Sequence, residues 1–342
     1  MLTIDGSRGE GGGQILRTAL GLSLVTGQPF RMTAIRAGRG RPGLLRQHLT
    51  CVQAAAEVGQ ARVSGDAIGS SELTFSPTTL QGGERRFAVG TAGSTLLVWQ
   101  AILPGLLRAP TPTTLRLEGG THNPAAPTFE FIEHVFAPLL ARLGASLTVH
   151  LDQPGFYPAG GGQLRMEIAP WRDATPLHLR ERGEVRAVEA IALLAGGIPY
   201  AVAERELAAV SSALAWPADR CRPRMVRSSR GPGNVLLARI DSEHATELVS
   251  AVGERGKPAE AVAADVIEQV RAYLDHGAPV GEHLADQLML PLALGAGGSF
   301  VAGPLSLHAR TQVETMRLFL GDLVRVTEQG RQTLVEVEPA AR

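Results

Sequence analysis

The chain has 342 residues, 44% hydrophobic and 19% charged, with 33 basic side chains balancing 33 acidic ones. That length suits one large or two ordinary domains, and that apolar content builds a sizeable core and excludes a disordered polyelectrolyte. A formal net charge of zero excludes a molecule that holds nucleic acid by bulk charge, so anion binding must come from local patches.

Cys51 and Cys221 are too few for a disulfide framework, and Cys51, inside an apolar helical pattern, reads as a buried thiol. Met1 to Gly6 shows no basic stretch followed by an apolar one, so no signal peptide is expected. No uninterrupted apolar run reaches about 18 residues, so no membrane span is expected. The expectation is a soluble cytoplasmic protein.

Glycine punctuates the chain. Leu2 to Ile4 reads as a strand running into Gly9-Glu10-Gly11-Gly12-Gly13, and a helix follows with Ile15, Leu16, Ala19, Leu20 and Leu22 on one stripe, ending at Gly27. Phe30 to Ile35 is predicted as a strand, Gly43 to Val58 as a helix, and Ala61 to Ser64 and Glu72 to Ser76 as strands. That β-α-β-α-β-β order then recurs. Gly90-Thr91-Ala92-Gly93-Ser94 opens a helix through Leu107, followed by a strand (Thr114 to Glu118), a helix (Pro127 to Leu143) and two strands (Leu147 to Leu151, Gly162 to Ile168). A third copy begins near Leu177, breaks off, and resumes with a helix over Glu282 to Leu294. A strand (Phe300 to Ala302), a helix (Thr311 to Leu320) and a hairpin (Leu323 to Val337, turning at Glu328-Gln329-Gly330) complete it. The interruption has its own strands (Val185 to Leu193, Val235 to Ile240, Glu247 to Val252) and helices (Ala203 to Ala215, Ala259 to Leu274). The predicted division is a three-repeat α/β domain over 1–182 and 277–342, with a small α/β domain inserted over 183–276.

Several strand-to-helix turns suit anions. In Gly9-Glu10-Gly11-Gly12-Gly13-Gln14 the glycines let backbone N–H groups approach a phosphate at a helix N-terminus, although the Gly-Lys-Ser/Thr ending of a P-loop is missing. Glu10 beside such a site is a reasonable Mg²⁺ ligand, because Mg²⁺ takes one or two carboxylates plus substrate phosphates. Arg36-Ala37-Gly38-Arg39-Gly40-Arg41 precedes a helix whose first turn holds Arg46, Gln47 and His48. Guanidinium groups fork onto phosphate, and three of them on one loop repel each other without an anion. In Gly119-Gly120-Thr121-His122-Asn123-Pro124-Ala125-Ala126-Pro127, His122 and Asn123 are candidates to serve a ligand, although loop chemistry alone accounts for the composition. Arg220, Arg222, Arg224, Arg227 and Arg230 read as a solvated basic loop.

Lys257 is the only lysine. A nucleotide-transferring enzyme that lacks a lysine to spare needs another nucleophile, and neutral imidazole serves near pH 7. His308, in Gly303-Pro304-Leu305-Ser306-Leu307-His308-Ala309-Arg310-Thr311-Gln312, stands between a β-like segment and a helix; spacing alone does not distinguish it from a structural histidine.

Five segments together carry a resemblance: residues 9–17, Ile35 to Arg39 with Pro42 to His48, Gly119 to Pro124, Gly155 to Gly162, and Leu284 to Gln287. They resemble signatures of the RNA 3′-terminal phosphate cyclase family, and the likeness spans essentially the whole chain. It implies three β-α-β-α-β-β repeats around a pseudo-threefold axis with a thioredoxin-like insertion. It implies ATP as co-substrate, Mg²⁺ or Mn²⁺, and an RNA bearing a 3′-phosphate as partner. The product would be a 2′,3′-cyclic phosphate, made through histidyl-AMP and RNA-(3′)pp(5′)A with release of pyrophosphate and AMP. Position by position, His308 matches the adenylylated nucleophile and Glu10 the metal-binding carboxylate. Arg17, Arg36, Arg39, Gln47 and His48 match positions near the RNA or nucleotide phosphates. Gln100, Pro127, Asp286 and Gln287 match the nucleotide pocket, as does His283, which stands where a tyrosine is expected, so a weaker or altered adenine contact follows. The alternatives are a non-catalytic relative acting as an RNA-binding factor in rRNA processing, and an enolpyruvyl transferase built on similar repeats.

Overall fold

The computed structural model describes residues 1–341. The chain opens with β1 (Leu2–Asp5), α1 (Gln14–Thr26), β2 (Phe30–Thr33), α2 (Arg46–Val58), β3 (Arg62–Ser64) and β4 (Leu73–Ser76). Next come β5 (Gly83–Ala88), α3 (Thr95–Arg108), β6 (Thr113–Gly119) and α4 (Phe129–Phe131), which runs through a π-helical stretch (Ile132–Phe136) into α5 (Ala137–Arg142), and then β7 (Leu147–Gln153) and β8 (Gly162–Ile168). After β9 (Leu177–Leu179) lie β10 (Val185–Ala195), α6 (Tyr200–Leu214), β11 (Cys221–Val226), β12 (Gly233–Ser242), β13 (Thr246–Val252) and α7 (Ala259–His276). The chain closes with α8 (Glu282–Leu294), β14 (Gly298–Ala302), α9 (Leu307–Leu320), β15 (Val324–Gln329) and β16 (Gln332–Val337).

Three of the four sheets share one topology. Their orders are β1-β2-β4-β3, β5-β6-β8-β7 and β9-β14-β16-β15. In each, the first two strands run parallel across a helical crossover, and the later hairpin adds antiparallel. Strands such as β6 and β8 alternate buried and less buried residues, so each has one face on the core. By contrast α1 and α3 are buried almost all round. Helices therefore fill the middle and sheets flank them. Close approach sets the packing: a Cβ on Gly21 of α1 would stand 3.0 Å from the Pro104 ring of α3.

The fourth sheet, β11-β10-β12-β13, is built wholly from residues between β9 and α8. Its period-2 alternation feeds two cores. Leu193, Ala195, Val235 and Leu237 join the main core, while Ala192, Leu194, Leu236 and Ala238 join a second core with α6 and α7. Among the described residues, no helix is long and apolar enough to cross a membrane.

Four details differ from the sequence reading. Two strands were not anticipated, β5 and β11; both are sheet edges whose burial patterns show no clean alternation. The arginine run is therefore partly strand rather than loop, with Arg222 paired to Glu189 on neighbouring β10. Helix α9 begins at Leu307 instead of Thr311, because Ser306 caps it by accepting the Ala309 N–H at 3.2 Å. The terminal hairpin turns at Gly330-Arg331, where Gly330 takes φ 66°.

Candidate active site

The glycine turn before α1 folds back on Glu10. Gly9 and Gly11 adopt φ 58° and 60°, and the Glu10 carboxylate then accepts the Gln14 N–H at 3.1 Å, capping α1. The Glu10 N–H donates to the Thr311 hydroxyl at 3.0 Å, tying the turn to α9. The side chain of Glu10 is only 6% exposed, yet it faces a cavity of about 780 Å³.

His308 sits on the first turn of α9, exposed to that cavity. Its ring is held by Gln14. The Gln14 amide nitrogen donates to Asp286 Oδ2 at 2.9 Å and to the His308 carbonyl at 3.1 Å, which turns the amide oxygen toward His308 Nδ1, 2.9 Å away. Nδ1 must then carry the proton, leaving Nε2 with the free lone pair. Asp286 stands on the second turn of α8, where burial pushes its carboxyl up to about 7 against the pull of Arg17.

The basic residues divide their work. Arg17 lies beside Glu10 and Asp286, and burial lowers its pKa. Arg36 donates Nη1 to the carbonyls of Arg41 (2.5 Å) and Gly43 (2.9 Å), and the Arg39 guanidinium bonds the backbone and carboxylate of Glu10. Carbonyls thus hold Arg36, and Glu10 holds Arg39, although the positive charge of Arg39 still acts on Arg36. His48 is 7% exposed; burial first, then Arg17 and Arg36, push it down to about 3. Its Nδ1 accepts the Leu45 N–H at 3.2 Å, so the neutral ring keeps an N–H on Nε2 as a donor.

The rim is polar. Gln47 Oε1 accepts the Ser94 N–H at 2.6 Å, and Gln100 donates to Gln287 at 2.6 Å, which in turn donates to the His283 carbonyl at 2.8 Å. Pro127 and exposed His283 complete this side. β13, α7 and the loop between them supply the opposite wall; the loop's Lys257 pairs with Asp265 of α7. The N-terminal residues of α1, α2, α8 and α9 all reach the cavity. Four helix N-termini, each carrying partial positive charge, suit a polyanion in a chain of zero net charge.

The RNA 3′-terminal phosphate cyclase family matches residues 8–326. The chain belongs to that family. A protein named RNA 3′-terminal phosphate cyclase from Koribacter versatilis is 49% identical over 329 residues, 96% of this chain and 92% of the relative. One from Ectopseudomonas mendocina is 48% identical over 337 residues, 98% and 97% of the two chains. One from Salmonella enteritidis is 48% identical over 339 residues, 96% and 99%. Membership of the cyclase family displaces the enolpyruvyl transferase alternative.

Within this cyclase-family fold, the twelve residues matched to the family's site, from Glu10 to His308, line the same cavity, whereas Arg41 and Arg46 do not. Gln14 belongs with them but was not singled out; its contacts to Asp286 and His308 span 272 and 294 residues, beyond any local signal. His122 stays outside the cavity. It is fully buried, stacked on Phe156, with Nε2 2.9 Å from Glu130 and Nδ1 2.8 Å from the Thr121 hydroxyl, and it pins the loop that carries Pro127.

Proposed function

We propose that this chain converts an RNA 3′-terminal phosphate to a 2′,3′-cyclic phosphate at the expense of ATP, with His308 as nucleophile. The observation that carries the reading is the hold of Gln14 on His308 Nδ1 at 2.9 Å, which leaves Nε2 lone-paired among four helix N-termini. Nε2 attacks the α-phosphorus of ATP; an N–P bond forms, the bridging P–O bond breaks and pyrophosphate leaves. An oxygen of the RNA 3′-phosphate then attacks the bound phosphorus, breaking the N–P bond and giving RNA-(3′)pp(5′)A. A terminal phosphate becomes a good electrophile only once AMP is its leaving group. The adjacent 2′-oxygen, losing its proton, closes on the 3′-phosphorus and AMP departs; the step is intramolecular, with a large proximity advantage. It also requires a 2′-hydroxyl, hence RNA.

On this reading Arg17, Arg36, Arg39, Gln47 and the Nε2–H of His48 hold phosphate, and Gln100, Pro127, His283, Asp286 and Gln287 hold the nucleotide. A divalent cation, Mg²⁺ or Mn²⁺, fits Glu10. Its carboxylate borders the cavity and has lone pairs beyond those used by Gln14 and Arg39, so the ion's other ligands would be phosphate oxygens and water. When bound it would offset phosphate charge. We also read the three like sheets as repeats around a pseudo-threefold axis, forming the catalytic domain over 1–182 and 277–342. Residues 183–276 are then a thioredoxin-like insertion; the shared strand orders and the second core support this division.

Incubation with α-phosphate-labelled ATP and Mg²⁺, followed by denaturing electrophoresis, tests the reading. It expects an acid-labile, alkali-stable adduct that His308→Ala lacks. No adduct from folded protein with any of several metals would instead support the non-catalytic RNA-binding relative.

A further inference from the structure

Glu247 is a buried carboxylate that the catalytic scheme does not use. It stands on β13, at the edge of the fourth sheet, and is 3% exposed. Both oxygens accept backbone N–H groups: Oε1 that of Leu248 at 3.0 Å, and Oε2 that of Gly281 at 2.8 Å. Gly281 starts α8, and no side chain of its own caps that helix. Glu247 therefore supplies the cap from another element, placing an acceptor oxygen at the positive end of the α8 dipole. Burial pushes this carboxyl up to about 7 against the pull of these two N–H groups.

An independent observation points the same way. Gly281 has φ −80°, which any residue adopts, so its conformation does not demand glycine. A Cβ there would fall onto Oε2 and Cδ of Glu247, so the carboxylate excludes a side chain. The neighbouring linker is pinned as well: the Tyr273 hydroxyl donates to the Pro279 carbonyl at 3.2 Å, and Val280 bridges Ala302 of β14. Arg182 covers the Tyr273 ring at 5.0 Å.

We infer that Glu247 is a positioning residue: through the Gly281 N–H it fixes the start of α8, and so sets His283, Asp286 and Gln287 against His308. The segment 183–276 then holds the nucleotide pocket in register besides lining its far wall. This rests on reading α8 as part of that pocket.

The test is ATP-dependent self-adenylylation by the full chain, giving KM for ATP and the saturated rate, with melting temperatures alongside. Glu247→Ala and Gly281→Ala should each raise KM about tenfold, with the saturated rate changed less than about threefold. The double variant should be no worse than Glu247→Ala, because the new methyl then meets no carboxylate. Should Glu247→Ala not fold, Glu247→Gln, equal in size with one acceptor lost, is read the same way. Asp286→Ala reports on the pocket itself. If it raises KM while the Glu247 and Gly281 variants stay within about twofold of wild type, or if their effects simply multiply, the positioning role is wrong and the pocket reading stands. If Asp286→Ala also leaves KM unchanged, the pocket reading fails first.

Discussion

Gln14 and His308 are 294 residues apart in sequence and 2.9 Å apart in space, joined from the amide oxygen of one to Nδ1 of the other. The same amide reaches Asp286 Oδ2, so a chain of contacts runs from α8 through α1 to the imidazole on α9. Its effect is to fix which ring nitrogen carries the proton.

Gln14→Ala should therefore slow self-adenylylation about 10- to 100-fold, equivalent to about 1.4–2.7 kcal/mol of barrier, with KM for ATP changed far less. Single-turnover labelling across ATP concentrations checks this. A rate within twofold of wild type would remove Gln14 from the mechanism.

Arg39 reaches Glu10 across the mouth of the cavity, and its guanidinium is half-exposed. Arg39→Ala should reduce transfer of AMP to RNA at least about tenfold, as expected for a lost charge-assisted phosphate contact, while self-adenylylation changes little. Equal loss at both steps would put Arg39 on the ATP. Glu10→Ala should shift the Mg²⁺ titration of self-adenylylation to higher concentration; an unchanged titration would take Glu10 out of the metal site.

His48 gives a pH prediction. Its folded pKa, pushed down to about 3, lies below an unfolded value near 6.5. Between these values the unfolded chain binds a proton that the folded chain refuses, so stability falls as pH drops below about 6.5 and the loss is complete near 3. At pH 5 this amounts to about 2 kcal/mol relative to pH 7. His48→Asn, whose side-chain oxygen can still accept the Leu45 N–H, should lose fewer degrees of melting temperature than wild type between pH 7 and pH 5. Parallel losses in the two proteins would show that His48 titrates normally.

His283 stands exposed on the first turn of α8, where the family resemblance leads one to expect tyrosine. His283→Tyr should lower KM for ATP about two- to tenfold, the range expected for a better aromatic contact. The KM values for ATP and for a nucleotide lacking the adenine base give the comparison; equal changes for both would show that residue 283 does not touch the base.

Most of the elements were legible because their signals are local. Gly9 to Gly13 announce the turn before α1, and Gly27 at φ 70° stops the helix where the apolar stripe ends. What was misread was also local but weak. β5 holds one buried side chain in six residues, Phe87, and β11 alternates arginines with Pro223. Edge strands need no two-sided apolar pattern, so they leave little periodicity to detect. Leu307 and His308 joined a helix through a single serine cap, which the strand-like alternation Leu305-Ser306-Leu307 concealed.

The sequence by itself determined the turns, the repeating order of strands and helices, and the family signatures that single out His308 and Glu10. Only the tertiary structure decided that Gln14 orients His308, that Arg36 and Arg39 are partnered by carbonyls and Glu10, and that Glu247 meets Gly281. The reason is physical. Turn and capping rules act across a few residues of chain, whereas these contacts form only when helices far apart in sequence pack and bring their N-termini to one cavity.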